Sequence, residues 1–165
     1  MDWLTTTHTS SDAPTLRAWQ KAAGSRFRRW LFARALCRRA PYVRTIRPQL
    51  IELRPTLCRV SLAKHRRVQN RLGAVHELAI GNLCELAADM VTEVTIPTVL
   101  RWTPRGMTIE YLRSAETALS ATARLDKTEW REAEMVAVPV SVTDARGAEV
   151  VRAVVSMYVA AATSS

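Results

Sequence analysis

The stretch Asn70-Arg-Leu-Gly-Ala-Val-His76-Glu-Leu-Ala-Ile-Gly-Asn82-Leu-Cys-Glu85 sets an amide, a glycine turn, a histidine and a carboxylate around one expected helix start. The first backbone N–H groups of a helix have no partner inside it and carry partial positive charge, so they can stabilise negative charge developing on an oxygen. A start near Val75 makes the N–H groups of His76 and Glu77 the donors. Glu85 is the matching base or nucleophile. Leu83, Cys84, Leu86 and Ala87 surround it in sequence, and burial in an apolar cleft would raise its pKa toward neutrality. Asn70, on the loop entering the helix, could orient a water or a carbonyl. Asn82 lies about one turn from Glu85 and could hold its carboxylate by a side-chain hydrogen bond.

Each residue also has a plainer reading. His76 could be a first-turn residue satisfied by its own backbone neighbourhood, and Glu77 could simply favour the helix dipole. Gly73 could be a turn glycine at positive φ, and Glu85 one half of a structural ion pair. Asp89 and Glu93, one and two turns further on, read as a solvated helix end. Nine residues at about 1.5 Å each put His76 and Glu85 roughly 13 Å and half a rotation apart. One helix therefore cannot bring both to one bond, and the expected site is composite, with the helix start of one subunit facing Glu85 of its mate across a two-fold axis.

The elements that must position these residues follow from periodicity. Residues 1 to 13, leading up to Pro14, lack any pattern and are expected to be a mobile tail. From Thr15, apolar Leu16, Trp19, Ala23, Phe27, Trp30 and Leu31 recur at helical spacing, predicting one basic amphipathic helix to about Arg39, within an N-terminal unit over residues 14 to 40. Its Arg26-Phe-Arg-Arg-Trp-Leu-Phe32 segment suits a helix packed on a sheet, with contact to a membrane surface as the other option. From Thr45 the period changes to two, predicting a hairpin of 49 to 54 with 57 to 64, then a basic loop to Asn70. Residues 76 to 92 are apolar on nearly every face, as in a helix buried all round. After Pro97 come strands over 107 to 113, 117 to 125, 136 to 143 and 148 to 160. The expected fold class is α+β, with residues 41 to 165 forming an antiparallel sheet wrapped around one long central helix. Trp102, Trp130 and Tyr111 read as core aromatics, with the lining of an acyl tunnel as the alternative.

This order, together with Asn70-x-x-Gly73-x-x-His76 and an acid nine residues later, resembles the hotdog-fold acyl-CoA thioesterases, specifically the phenylacetyl-CoA thioesterase-like branch. The resemblance spans roughly residues 42 to 160, and Ala40-Pro-Tyr42 and Tyr111-Leu-Arg are similar to an uncharacterised bacterial subgroup of the superfamily. It implies hydrolysis of an acyl-CoA or acyl-carrier thioester, with Glu85 as the helical carboxylate and Asn70, Gly73 and His76 in the loop positions. It also implies a homodimer, or a tetramer of paired dimers. The family's glycine pair after the histidine is Glu77-Leu78 here. In the family the first glycine offers its N–H to the thioester oxygen. Glu77 keeps that N–H, but its side chain could crowd or repel an anionic group. A catalytically silent hotdog module that binds acyl-CoA or lipid is the alternative function.

Charge adds one further expectation. Residues 1 to 71 hold 16 Lys or Arg against three acids, a net +13, whereas residues 72 to 165 hold 8 against 12, a net −4. That asymmetry attracts polyanions. Lys64, Arg66, Arg67 and Arg71 flank the Asn70 loop and could contact the phosphates of coenzyme A or phosphopantetheine. No finger, helix-turn-helix or RNA-recognition aromatic signature supports specific nucleic-acid recognition. Three scattered cysteines without a CxxC pair argue against disulfides and structural zinc, and Cys84 reads as a buried small hydrophobe. No metal or redox cofactor is indicated, and coenzyme A would enter only with the substrate. With no signal peptide and no apolar run of bilayer length, the expected location is cytoplasmic.

Overall fold

The structure, a computed structural model, describes residues 13–131 and 133–161. Of the expected tail, all but Ala13 lies outside the described residues, and Ala13 itself is buried. Two helices follow, α1 (Pro14–Ala23) and α2 (Arg26–Arg39), then a 3-10 turn over Pro41–Thr45. The hairpin β1 (Gln49–Arg54) and β2 (Leu57–Leu62) leads through a short 3-10 turn to α3 (Glu77–Thr95). Strands β3 (Leu100–Tyr111), β4 (Leu119–Arg124), β5 (Ala133–Asp144) and β6 (Glu149–Ala161) complete the chain. All six strands form one antiparallel sheet in the order β1-β2-β4-β5-β6-β3.

Alternation decides which face of that sheet is the core. Ala121 and Ala123 of β4, Val138, Val140 and Val142 of β5, and Ala153, Val155, Met157 and Val159 of β6 are buried at every second position, as period-two strands with one wet face require. Against this surface lies α3, with Leu83, Cys84, Ala87, Ala88, Val91 and Val94 completely buried. At its C-terminal end Thr95 donates its hydroxyl to the Val91 carbonyl and accepts the N–H of Thr56. Thr56 stands at φ +71 in the β1–β2 turn, so the helix end pins the hairpin. A long helix held in the curl of an antiparallel sheet is the hotdog architecture expected from the sequence.

Two expectations change. The single N-terminal helix is two, because Gly24 ends α1 and Ser25, extended at φ −138 and ψ 131, restarts the chain as the N-cap of α2. The break re-aims the apolar stripe. Leu16, Trp19 and Ala22 of α1 enter the core, and Trp19 meets Phe32 of α2 edge-on at 5.5 Å. Phe27, Trp30 and Leu31, expected to pack beside them, are 65%, 52% and 46% exposed. Nor is α3 buried all round, since Glu77, Leu78 and Glu85 are exposed and Asp89 and Glu93 half-buried. Its own sheet covers only part of the cylinder, leaving Glu77, Leu78 and Glu85 uncovered.

At the sheet edge opposite β1, β3 pairs, among the described residues, only with β6, and its residues between Arg101 and Tyr111 are exposed or half-buried. It crosses α3 closely at Gly81, where an added Cβ would stand 3.6 Å from both Ile109 Cδ1 and Met107 Cε. Pro139, which has no N–H to give, lies just past Val140, where the pairing of β5 with β4 stops.

Candidate active site

The loop entering α3 is built by Asn70. Its Oδ1 accepts the backbone N–H groups of Leu72 at 3.0 Å and Ala74 at 3.1 Å, while its own N–H reaches the Ala74 carbonyl at 2.8 Å. This is the local turn that a short amide side chain favours. Gly73 closes it at φ +80, donating its N–H to the Asn70 carbonyl, a conformation that costs an L residue about 1 kcal/mol or more. Val75 N–H then donates to the Ala115 carbonyl and His76 N–H to the Val68 carbonyl at 2.7 Å. The loop is thereby tied to two neighbouring segments just before α3 begins.

These bonds revise the expected donors. His76 N–H is taken by Val68, so it is not available to an oxyanion. The histidine instead caps α3, its Nδ1 accepting the Leu78 N–H at 3.1 Å. That lone pair is therefore engaged and the ring proton resides on Nε2. Glu77 Oε2 also comes within 3.5 Å of Nδ1, but an accepting nitrogen carries no proton to pair with a carboxylate, so the cap is the interaction that holds the ring. Among the described residues, the N–H of Glu77 has no partner. It is the open donor at the helix start, one residue after the histidine.

The Glu77 carboxylate turns back toward the entry loop, where Asn70 Nδ2 reaches its Oε1 at 3.4 Å. Tyr111, at the end of β3, brings its hydroxyl to 3.5 Å from the Glu77 carbonyl. Tyr111 is 48% exposed and so is no core aromatic, unlike Trp102 and Trp130, which are partly buried against the core. Desolvation and the Glu77 carboxylate push the Tyr111 phenol above its usual range, so it stays protonated and able to donate.

Two further expectations fail. Glu85 is exposed rather than sunk in an apolar cleft: its apolar sequence neighbours point the other way around the helix, into the sheet. Asn82 is buried and directs Nδ2 to the Tyr42 carbonyl at 3.4 Å, so it fastens the 3-10 turn to α3 instead of holding Glu85. The carboxyl with an oxygen sealed from solvent is Asp89, one turn beyond, which had read as a solvated end. Its Oδ1 has no hydrogen-bond partner. Burial first, then the nearby charges of Glu85 and Glu93, push it up to about 7. The sequence signal was the ladder Glu85, Asp89, Glu93 at four-residue spacing, three like charges on one stripe of an otherwise apolar helix. Glu93 is tied to α1 by the Thr15 hydroxyl at 2.5 Å.

Of the basic loop, Lys64 gives its ammonium to the Glu116 carbonyl at 2.8 Å, while Arg66, Arg67 and Arg71 are exposed. Cys84 is buried, its thiol pushed up to about 12 by desolvation. It is inert as a nucleophile.

Comparison with solved structures returns the same architecture. A structural-genomics target with a crystal structure is 35% identical, covering 90% of this chain and 98% of its own at a TM-score of 0.80. A protein of unknown function and probable thioesterase from Pseudomonas aeruginosa is 18% identical, covering 80% of this chain and 95% of its own at a TM-score of 0.72. A thioesterase from Haemophilus influenzae is 11% identical, covering 77% and 87% at 0.67. No curated protein matches the sequence. The model of a domain of unknown function, DUF4442, matches residues 28–159. With four-fifths of its length under that model and its helix held in a six-stranded antiparallel sheet, the chain belongs to the DUF4442 family, on the hotdog fold of thioesterase-superfamily proteins.

Proposed function

We propose that the chain hydrolyses acyl thioesters, of coenzyme A or of an acyl carrier, in a site completed by a second copy. The observation that carries this reading is the unpaired Glu77 N–H at the start of α3, on the same helix as an exposed Glu85 that its own sheet leaves uncovered. An N–H at a helix start stabilises the oxyanion formed when a thioester carbonyl is attacked. A carboxylate two turns along the helix cannot reach that carbonyl from the same chain, but an antiparallel mate can present its own. In this scheme Glu85 acts as general base on water, or as nucleophile, and Tyr111 holds the Glu77 peptide in place. Asn70 and Gly73 shape the loop, and His76 caps the helix. Arg66, Arg67 and Arg71 lie beside that loop and suit the phosphates of the carrier. Asn82 and Lys64 are structural. The thioesterase names of the Pseudomonas and Haemophilus structures, at low identity, accord with this reading.

The exposed edge β3 supports a homodimer in which two β3 strands pair and the uncovered stripes of two α3 helices face each other. The Glu77 carboxylate, adjacent to the proposed oxyanion donor, favours a second reading in which acyl-CoA binds without turnover. Release of free thiol from a panel of short, medium, long and aryl acyl-CoA substrates separates the two. We expect turnover that falls at least about 100-fold in Glu85→Gln, the lower range for loss of a general base. Binding of the panel without thiol release from any member would establish the silent module, and turnover equal in the two proteins would remove Glu85 from the mechanism.

A further inference from the structure

Outside the Asn70 loop, α2 and the edge strand β1 enclose an open groove of about 1260 Å³. Its walls carry Arg26, Arg29, Arg34 and Arg38 from α2, Arg44 from the 3-10 turn and Arg47 before β1. Residues 13 to 51 contain ten basic residues and no acid, and among the described residues none of the six arginines is in an ion pair. The floor is apolar, with Ala33, Cys37, Leu50 and Ile51 among its lining. On the rim, Phe27, Trp30 and Leu31 lie on consecutive turns of α2 and are about half or more exposed. Phe27 stacks on Trp30 with ring centres 5.9 Å apart, and the Arg34 guanidinium sits 5.0 Å from the Trp30 ring centre.

Six uncompensated guanidinium groups around an apolar floor, beside an exposed aromatic and aliphatic stripe, require a partner that is anionic and apolar at once. A second copy of this face carries the same charge and would be repelled. A single-stranded polynucleotide supplies phosphates, but Trp30 is already engaged by Phe27 and Arg34, and the aliphatic floor offers bases no stacking platform. An anionic bilayer matches both features: lipid phosphates suit bidentate guanidinium contacts, and Phe27, Trp30 and Leu31 suit the depth at which interfacial helices lodge their apolar face.

We propose that this α2–β1 face docks the protein on an anionic phospholipid surface, with the arginines on headgroup phosphates and Phe27, Trp30 and Leu31 sunk among the upper acyl carbons. The proposal stands apart from the reaction assigned to α3, and its test does not depend on turnover. The full chain would be sedimented with vesicles of phosphatidylglycerol and phosphatidylcholine, with vesicles of phosphatidylcholine alone, and with a single-stranded polynucleotide as a competing polyanion. Each would be run at about 0.1 M and about 1 M salt. The expected result is preferential binding to the phosphatidylglycerol vesicles, weakened at least about tenfold by high salt, by Arg34→Glu with Arg38→Glu, and by Phe27→Ser with Leu31→Ser. Circular dichroism checks that both double variants keep the fold. Absence of vesicle binding, equal binding to the two vesicle types, or binding that either folded variant leaves unchanged overturns the proposal. So does tighter binding to the polynucleotide than to the anionic vesicles, which would assign the arginines to nucleic acid instead.

Discussion

Asp89 is where a single side chain most affects the energetics. Its carboxyl has an oxygen with no partner and is pushed up to about 7 by burial and by the charges of Glu85 and Glu93. In the unfolded chain it ionises near the ordinary aspartate value. Between about pH 4 and pH 7 the folded state therefore holds a proton that the unfolded state has lost, and stability falls as pH rises through that window before levelling off above it. Asp89→Asn keeps the shape and removes the titration. We expect it to flatten that slope and to raise stability at pH 8 by an amount on the order of 4 kcal/mol, measured as the urea midpoint at pH 5 and pH 8. A slope unchanged in the variant would mean the carboxyl titrates as it does in water. Gly73 is the other position where one atom matters. With φ at +80 and nothing within 4 Å of a built Cβ, Gly73→Ala meets backbone strain but no steric clash. The expected cost is about 1 kcal/mol, read from thermal or urea unfolding.

At the scale of elements, the N-terminus of α3 is where the fold and the proposed chemistry meet. The His76 cap, the Asn70 turn and the Val68 carbonyl satisfy the donors before and after Glu77, so the one N–H left open is selected by what the others are bonded to. His76→Ala should cost about 1 kcal/mol, the ordinary range for losing a cap, and His76→Asn, whose side chain also caps, should restore most of it. Thiol release should follow the same pattern. An asparagine variant that is stable yet more than about tenfold slower would give the imidazole a role in the reaction itself. The α1–α2 break belongs to this scale too. Gly24 and Ser25 end one helix and begin the next, and the consequence is a changed direction for everything downstream.

At the scale of the molecule, the sheet has, among the described residues, two unpaired edges with different characters. β1 borders the arginine groove, while β3 is exposed along most of its length and passes beside α3 at Gly81. Met107 stands near the middle of β3 and is 38% exposed. If two β3 strands pair as proposed, Met107→Arg puts a charge on that edge of each chain, and light scattering should report a monomer where the wild type forms the proposed dimer. Thiol release should fall with it, at least about tenfold, if the proposed composite site needs the mate's carboxylate. A monomeric variant with full turnover would show that one chain suffices.

Much of this molecule was legible in its sequence because the relevant patterns are local. The change from period 3.6 to period 2 at Thr45, the β1–β2 hairpin, the long apolar helix, the last three strands and the turn glycine at position 73 each depend on residues a few places apart, whereas β3, expected over 107 to 113, begins at Leu100. So does the placing of Asn70, Gly73, His76 and Glu77 around one helix start. What the tertiary structure alone decided concerns partners remote in the chain. Val68 takes the His76 N–H, Tyr42 takes the Asn82 amide, and Tyr111 arrives at Glu77 from the far end of a strand. Likewise, the apolar neighbours of Glu85 point into the sheet while Glu85 itself faces out and Asp89 is half-buried with its Oδ1 sealed from solvent. Periodicity says that a helix has an inside and an outside, but which residue at the boundary is desolvated depends on how far the sheet curls around it. That curl is set by six strands brought together from across the chain.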